Sequence, residues 1–163
     1  CALSLGTPFF HVYQFITYMF LHVNFEHIFF NMFALWMFGR TLEYELGQKR
    51  FLTYYMVCGI GAALIQYLTA LAFGEFPLVL VGASGAVMGL LLAFGVLHPN
   101  AVIMLLIPPI PMKAKWFVVI YGVIELFLGW RGVGNVAHFA HVGGMLWGFL
   151  LLQWWKQRGI IRF

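Results

Sequence analysis

The sequence predicts an all-α fold, a polytopic bundle of transmembrane helices, on three observations. Of 163 residues, 63% are hydrophobic before the 18 glycines are counted, whereas a soluble domain holds about 45–50% with glycine included. Charged residues make up only 9%, against about 25% in ordinary globular chains, and the mean hydropathy is +0.93. The apolar residues fall into runs that give room for about five spans of roughly 20 residues each, with short loops. The same composition excludes other classes. The net charge of +4 is sparse and scattered, so there is no nucleic-acid footprint. Cys1 and Cys58 stand far apart, which argues against a disulfide framework or a thiolate metal cluster. The chain begins at Cys1 without Met or a signal-peptide pattern and reads as a fragment.

The first predicted helix runs from His27 to about Leu46. It is entered through His22, Asn24 and Glu26, with Asn24 as N-cap, and left through Arg40, Glu43 and Glu45. The second runs from Phe51 to about Phe73, and its one strongly polar residue, Gln66, reads as an interhelical hydrogen bond. Gly82, Ser84 and Gly85 interrupt the next apolar run and favour a loop before a helix from Ser84 to about His98. At 1.5 Å per residue that helix is roughly 22 Å long, short of the roughly 30 Å hydrocarbon core. It therefore begins below the membrane surface, where non-helical backbone is tolerated only beside protein or a water-filled cavity. A wet cavity around Ser84 is the expectation. Pro99–Lys115, with Pro108, Pro109 and Pro111, reads as a loop; Trp116–Trp130 and Val136–Trp155 complete the helices. Eight of the nine basic residues fall on one side of this arrangement and only Arg131 on the other, which marks the first side as cytoplasmic and puts Ser84 toward the outer side.

Chemistry is confined to a few residues. There is no Asp, the five Glu are scattered and HExxH is absent, so a Ser-His-Asp triad cannot be built. Ser84 sits in Gly82-Ala83-Ser84-Gly85 at a helix start, where glycines let the backbone turn sharply and free amides point outward. That suits a nucleophile facing an oxyanion; it equally suits plain helix packing, since Gly85 and Gly89 form a GxxxG pair. His141 lies at the outer end of the last helix ahead of its own pair, Gly144 and Gly148. Two small-residue faces invite close approach, and Ser84 and His141 could meet as a dyad. His27 and Asn31 share one helix face near that end and are the kind of neutral donors that stabilise an oxyanion. A metal site built from His22, His27 and His138 or His141 is the rival, with spacings that fit no zinc template. Glu125, one turn from the outer end of the fourth helix, either faces the cavity and tunes substrate access or has a structural role, snorkelling or bonded internally. His138 shares a face with His141 and is a candidate for a secondary role near the cavity.

Three motifs in order carry a resemblance. His22-Val23-Asn24-Phe25-Glu26-His27-Ile28-Phe29-Phe30-Asn31, Gly82-Ala83-Ser84-Gly85 and Ala140-His141-Val142-Gly143-Gly144 resemble the HxxxxHxxxN, GxSG and AHxxG signatures of the rhomboid intramembrane serine proteases, over about Phe10 to Trp155. The resemblance implies Ser84 as nucleophile, His141 as general base and then acid, and an oxyanion hole of His27, Asn31 and the Ser84 amide. It implies cleavage of transmembrane protein substrates in the lipid bilayer near its outer boundary, without cofactor or metal. His22, Gly82, Met88 and Glu125 are secondary candidates; Met88 stands where family members often carry an aromatic that stacks on the histidine. Gly39, Glu43 and Gly47 resemble the family's pattern at the inner helix end, where the Glu anchors loops.

The family core has six helices and this chain supplies about five, so the first helix and most of the next outer loop are expected to be missing. The whole chain, 1–163, then forms one domain: residues 1–21 end a membrane-lying outer loop, 22–157 form the helical core and 158–163 a cytoplasmic tail. The implied location is a bacterial inner membrane, with the site opening outward and the carboxyl terminus cytoplasmic. Two other classes remain open: a catalytically silent relative that binds transmembrane helices, which the presence of both Ser84 and His141 disfavours, and a small transporter, which the lack of inverted repeats disfavours.

Overall fold

The computed structural model describes residues 1–104, 109–132 and 137–163. Pro108 in the expected proline loop, Asn135 in the expected outer loop and the expected helix start at Val136 lie outside the described residues. The remainder is a helical bundle, as the composition predicts.

Local chemistry sets the helix ends. Helix α1 is a single turn, Gln14–Thr17, followed by a 3₁₀ turn at Tyr18–Phe20. Helix α2, Phe25–Ala34, starts two residues before His27 because Asn24 is extended and its side chain accepts a 2.8 Å hydrogen bond from the His27 N–H. The anticipated N-cap is therefore in place. A π turn at Leu35–Gly39 separates α2 from α3, Arg40–Leu46, so the expected single helix has a widened middle. Gly47, at φ +78°, breaks the chain direction before α4, Gln48–Phe73, which ends at Gly74 in the left-handed conformation. Helix α5 is Ser84–Leu97, α6 is Ala114–Arg131 and α7 is His138–Gln157. The helices run a few residues into polar flanks because backbone hydrogen bonding continues past the apolar stretch that signals it.

Among the described helices only α4 is long and apolar enough to cross a membrane by length and composition alone. The expected spans differ for separate reasons. Helix α5 has 14 residues, as predicted; α6 carries Lys115, Glu125 and Arg131, and α7 is diluted by two histidines and a polar end.

Two short antiparallel ribbons correct the reading of the flanking segments as loops. Strand β1, Leu3–Leu5, pairs with β2, Leu78–Leu80, in the register Leu3 to Leu80. Strand β3, Val102–Met104, pairs with β4, Pro111–Lys113, inside the stretch expected to be a bare proline loop. Backbone amides and carbonyls that leave a helix near an apolar environment need partners, and the ribbons supply them.

Helices α4, α5 and α7 form the centre, and glycines bring them together. A Cβ on Gly144 would fall on the Gly85 carbonyl, and one on Gly89 would meet the Cys58 side chain. The two GxxxG faces do meet. Polar cross-links follow the same close approach: Tyr54 Oη donates to the Gly89 carbonyl at 2.9 Å, and Gln66 Oε1 accepts from the Ala140 N–H at 3.0 Å. In the segment before α2, Tyr18 and Met19 are fully buried, and Tyr18 Oη donates to the Gly59 carbonyl at 2.7 Å. Phe25 and Phe29 of α2 are exposed on one apolar face, the kind of surface that a lipid-facing helix presents.

Candidate active site

Ser84 is the first residue of α5 and is half-buried. Its approach is set by Gly82, whose φ of +116° lies in the region that favours glycine, and whose N–H donates to the Tyr18 carbonyl at 3.0 Å. A Cβ at Gly82 would come within 2.7 Å of the His27 imidazole. Glycine therefore lets His27 stand against the backbone beside Ser84. As the first helical residue, Ser84 has an N–H with no acceptor inside its own helix.

His141, buried in the first turn of α7, reaches Ser84 across the glycine contact. Its Nε2 lies 2.9 Å from Ser84 Oγ, although the residues are 57 apart in sequence. The other ring nitrogen, Nδ1, lies 3.0 Å from Glu125 Oε2. That distance is a hydrogen bond's while the direction is off-line. The same carboxylate oxygen is 2.7 Å from His138 Nδ1. Glu125 is thus bonded internally, and it is not among the residues lining the cavity.

The remaining predicted residues gather around the same opening. His27 Nδ1 faces the Val23 N–H at 3.4 Å, which leaves Nε2 as the protonated nitrogen toward the site. Asn31 is buried, and its Nδ2 donates to the His27 carbonyl at 2.8 Å, using one of two amide hydrogens. His22 reaches the site only through His27, edge to face with ring centroids 5.0 Å apart. In its turn ahead of α2, burial and then the neighbouring His27 hold the His22 imidazole below its ordinary value. Met88 lines the cavity with Ser84 and His141. The expected cavity is present, with a volume of about 880 Å³. Phe117 and Tyr121 of α6 line it together with residues of α2.

Three expectations change. The metal rival built on His22 and His27 is not assembled; among the described residues, the side chains whose ligand atoms come within 4.8 Å of one another are Glu125, His138 and His141. Glu43, expected to anchor loops, is exposed, and it is Glu45 that meets His98, at 2.9 Å. The orientation of His141, which a chain without Asp leaves to packing and other hydrogen bonds, has a Glu carboxylate behind it. The signal for that carboxylate was in the spacing of Gly122, Glu125 and Gly129. These share one face of α6, with the glycines opposite Met145 and His138 of α7.

A helical bundle with a serine and an imidazole in contact at a cavity, beside neutral donors, defines a narrow class of membrane protein. The chain belongs to the rhomboid family: the family model described as Rhomboid domain matches residues 10–156. Similar proteins include Rhomboid protein 1, mitochondrial, of Saccharomyces cerevisiae, 34% identical over 146 residues, covering 86% of this chain and 41% of that protein. Presenilin-associated rhomboid-like protein A, mitochondrial, of Danio rerio is 32% identical over 154 residues, 88% of this chain and 39% of the relative. Rhomboid-like protein 11, chloroplastic, of Arabidopsis thaliana is 41% identical over 78 residues, 48% and 26%. The chain spans well under half the length of these relatives. Their names correct the expectation of a bacterial inner membrane, because they are mitochondrial and chloroplastic proteins. The label cytoplasmic for the basic side falls with it, and only the charge asymmetry stands.

Proposed function

We propose that this chain is the core of an intramembrane serine endopeptidase that cleaves transmembrane protein substrates near the membrane boundary opposite its basic side, in an organellar membrane. One observation carries the reading: the 2.9 Å contact between Ser84 Oγ and His141 Nε2 at the edge of the cavity. The family's general activity and the mitochondrial and chloroplastic relatives support it.

With Nδ1 protonated, His141 Nε2 accepts the Ser84 proton as Oγ attacks the scissile carbonyl. The new C–O bond leaves negative charge on the former carbonyl oxygen, which the Ser84 N–H, His27 Nε2–H and the second Asn31 amide hydrogen receive. His141 passes its proton to the departing amine as the C–N bond breaks. Water then gives its proton to His141, attacks the acyl-enzyme, and the proton returns to Ser84. The steps use this chain's side chains and water.

The test is labelling with a fluorophosphonate in liposomes, with the adduct located by mass spectrometry. Labelling on Ser84 that vanishes in Ser84→Ala and His141→Ala, both still folded, supports the reading. A folded protein that takes no label overturns it in favour of a silent binder of transmembrane helices.

A further inference from the structure

We infer that Glu125 is the positioning residue of His141, so that the site works as a serine, an imidazole and a carboxylate in line; this rests on the Ser84–His141 reading above. The imidazole is bracketed. One nitrogen faces Ser84 Oγ at 2.9 Å and the opposite one faces Glu125 Oε2 at 3.0 Å.

Glu125 is alone in being able to do this. The chain has five Glu and no Asp, and Glu26, Glu43, Glu45 and Glu75 are all exposed. Glu125 is 4% exposed, in a helix of the bundle, where a carboxylate persists only with partners. Its partners are the two imidazoles from the first turn of α7 and the hydroxyl of Tyr121, one turn back on α6. The fold also makes room for the contact. Gly122 and Gly129 flank Glu125 on its face of α6; a Cβ on the first would press on Met145 at 3.2 Å, and one on the second on His138 at 3.2 Å. Small residues on either side bring α6 close enough to α7 for a short acidic side chain to reach both rings.

Two consequences follow for the reaction. A carboxylate at Nδ1 keeps the proton on that nitrogen and leaves Nε2 free to accept from Ser84. It also faces the positive charge that forms on the ring as the hydroxyl proton arrives. His138, holding the same oxygen at 2.7 Å, fixes the carboxylate between the rings. The off-line angle at His141 is the geometry of a resting site, whose hydrogen bonds tighten when the reacting group is bound.

The experiment measures the rate of fluorophosphonate labelling at Ser84 in liposomes for the wild type, Glu125→Gln, Glu125→Asp and His138→Gln, with thermal unfolding of each. Glu125→Gln keeps the size but offers an amide that can donate to Nδ1 and force the proton onto Nε2. Its labelling is expected to fall roughly 10²- to 10⁴-fold, the range for a mispositioned imidazole, at an unchanged unfolding temperature. Glu125→Asp, which keeps the charge, restores part of the rate, and His138→Gln loses less than about tenfold, the short end of positioning effects. Labelling of Glu125→Gln at the wild-type rate overturns the inference and leaves the Ser84–His141 pair standing. So does a loss that tracks thermal stability and is not restored by aspartate, because that assigns Glu125 to the fold. Should Glu125→Gln not fold, the aspartate variant decides: folded with less than a tenth of the wild-type rate supports positioning, and folded at the full rate does not. A wild type that takes no label removes the serine–histidine reading and this one together.

Discussion

Gly85 and Gly144 touch through their backbones: a Cβ added to Gly144 would land on the Gly85 carbonyl. This contact, one residue after Ser84 and three after His141, places the two side chains. Neither reaches far; the helices do the reaching. The contact partner is main chain, which cannot rotate away.

Gly144→Ala should therefore force α5 and α7 apart. The expected cost is roughly 1–3 kcal/mol, as for overpacking, despite the gain in helix propensity. Gly122→Ala is the comparison, since its Cβ would meet the flexible end of Met145 at 3.2 Å, which can give way, and it should cost less. Thermal unfolding separates the two, and fluorophosphonate labelling should fall further in the first. Equal melting temperatures would mean that the α5–α7 contact is slacker than its geometry.

Asn31→Ala removes one donor beside the cavity and leaves the helix start at Asn24 intact. Cleavage of a transmembrane substrate should slow by about 10²-fold or more, the usual loss for one oxyanion donor, with little change in substrate affinity. Steady-state kinetics would show it in kcat. A change confined to KM would place Asn31 in substrate docking instead.

Acid should weaken the fold through His22. The imidazole is held below its ordinary 6.5 by burial first and by His27 second. A base whose folded value is lowered favours the neutral form in the fold. Its contribution is full above about 6.5 and is lost as the pH falls from there through the folded value. The unfolding temperature of the wild type should decline from pH 7 to 5 more steeply than that of His22→Asn. Parallel profiles would show that another group carries the acid sensitivity.

Legibility in the sequence followed the range of the interaction. Asn24 as a cap, the start of α5 at Ser84 and the pairing of the two glycine faces are local patterns, readable because spacing fixes them within a turn or two. Gln66 was readable as a cross-link because a lone polar residue in an apolar helix must find a partner. Glu125 stands out as a carboxylate in an apolar helix, and Gly122 and Gly129 mark its face of α6 as a packed one, but the register of α6 against α7 that selects its partners is not in the spacing. The π turn at Leu35–Gly39 carries no composition signal of its own, since Leu35 to Phe38 are apolar residues found in any helix and Gly39 marks only a weak point. The two ribbons arise from backbone bonding between segments remote in sequence, Leu3–Leu5 and Leu78–Leu80 among them.

That first ribbon is held by far less main-chain bonding than the central helices. Only three residues on each side hold it, so its amides should exchange with solvent long before those of α4, α5 or α7. Yet β2 leads within four residues to Ser84. A three-residue seam is thus stitched to Ser84, the proposed nucleophile, and the loop that carries it should loosen while the bundle beneath it stays shut.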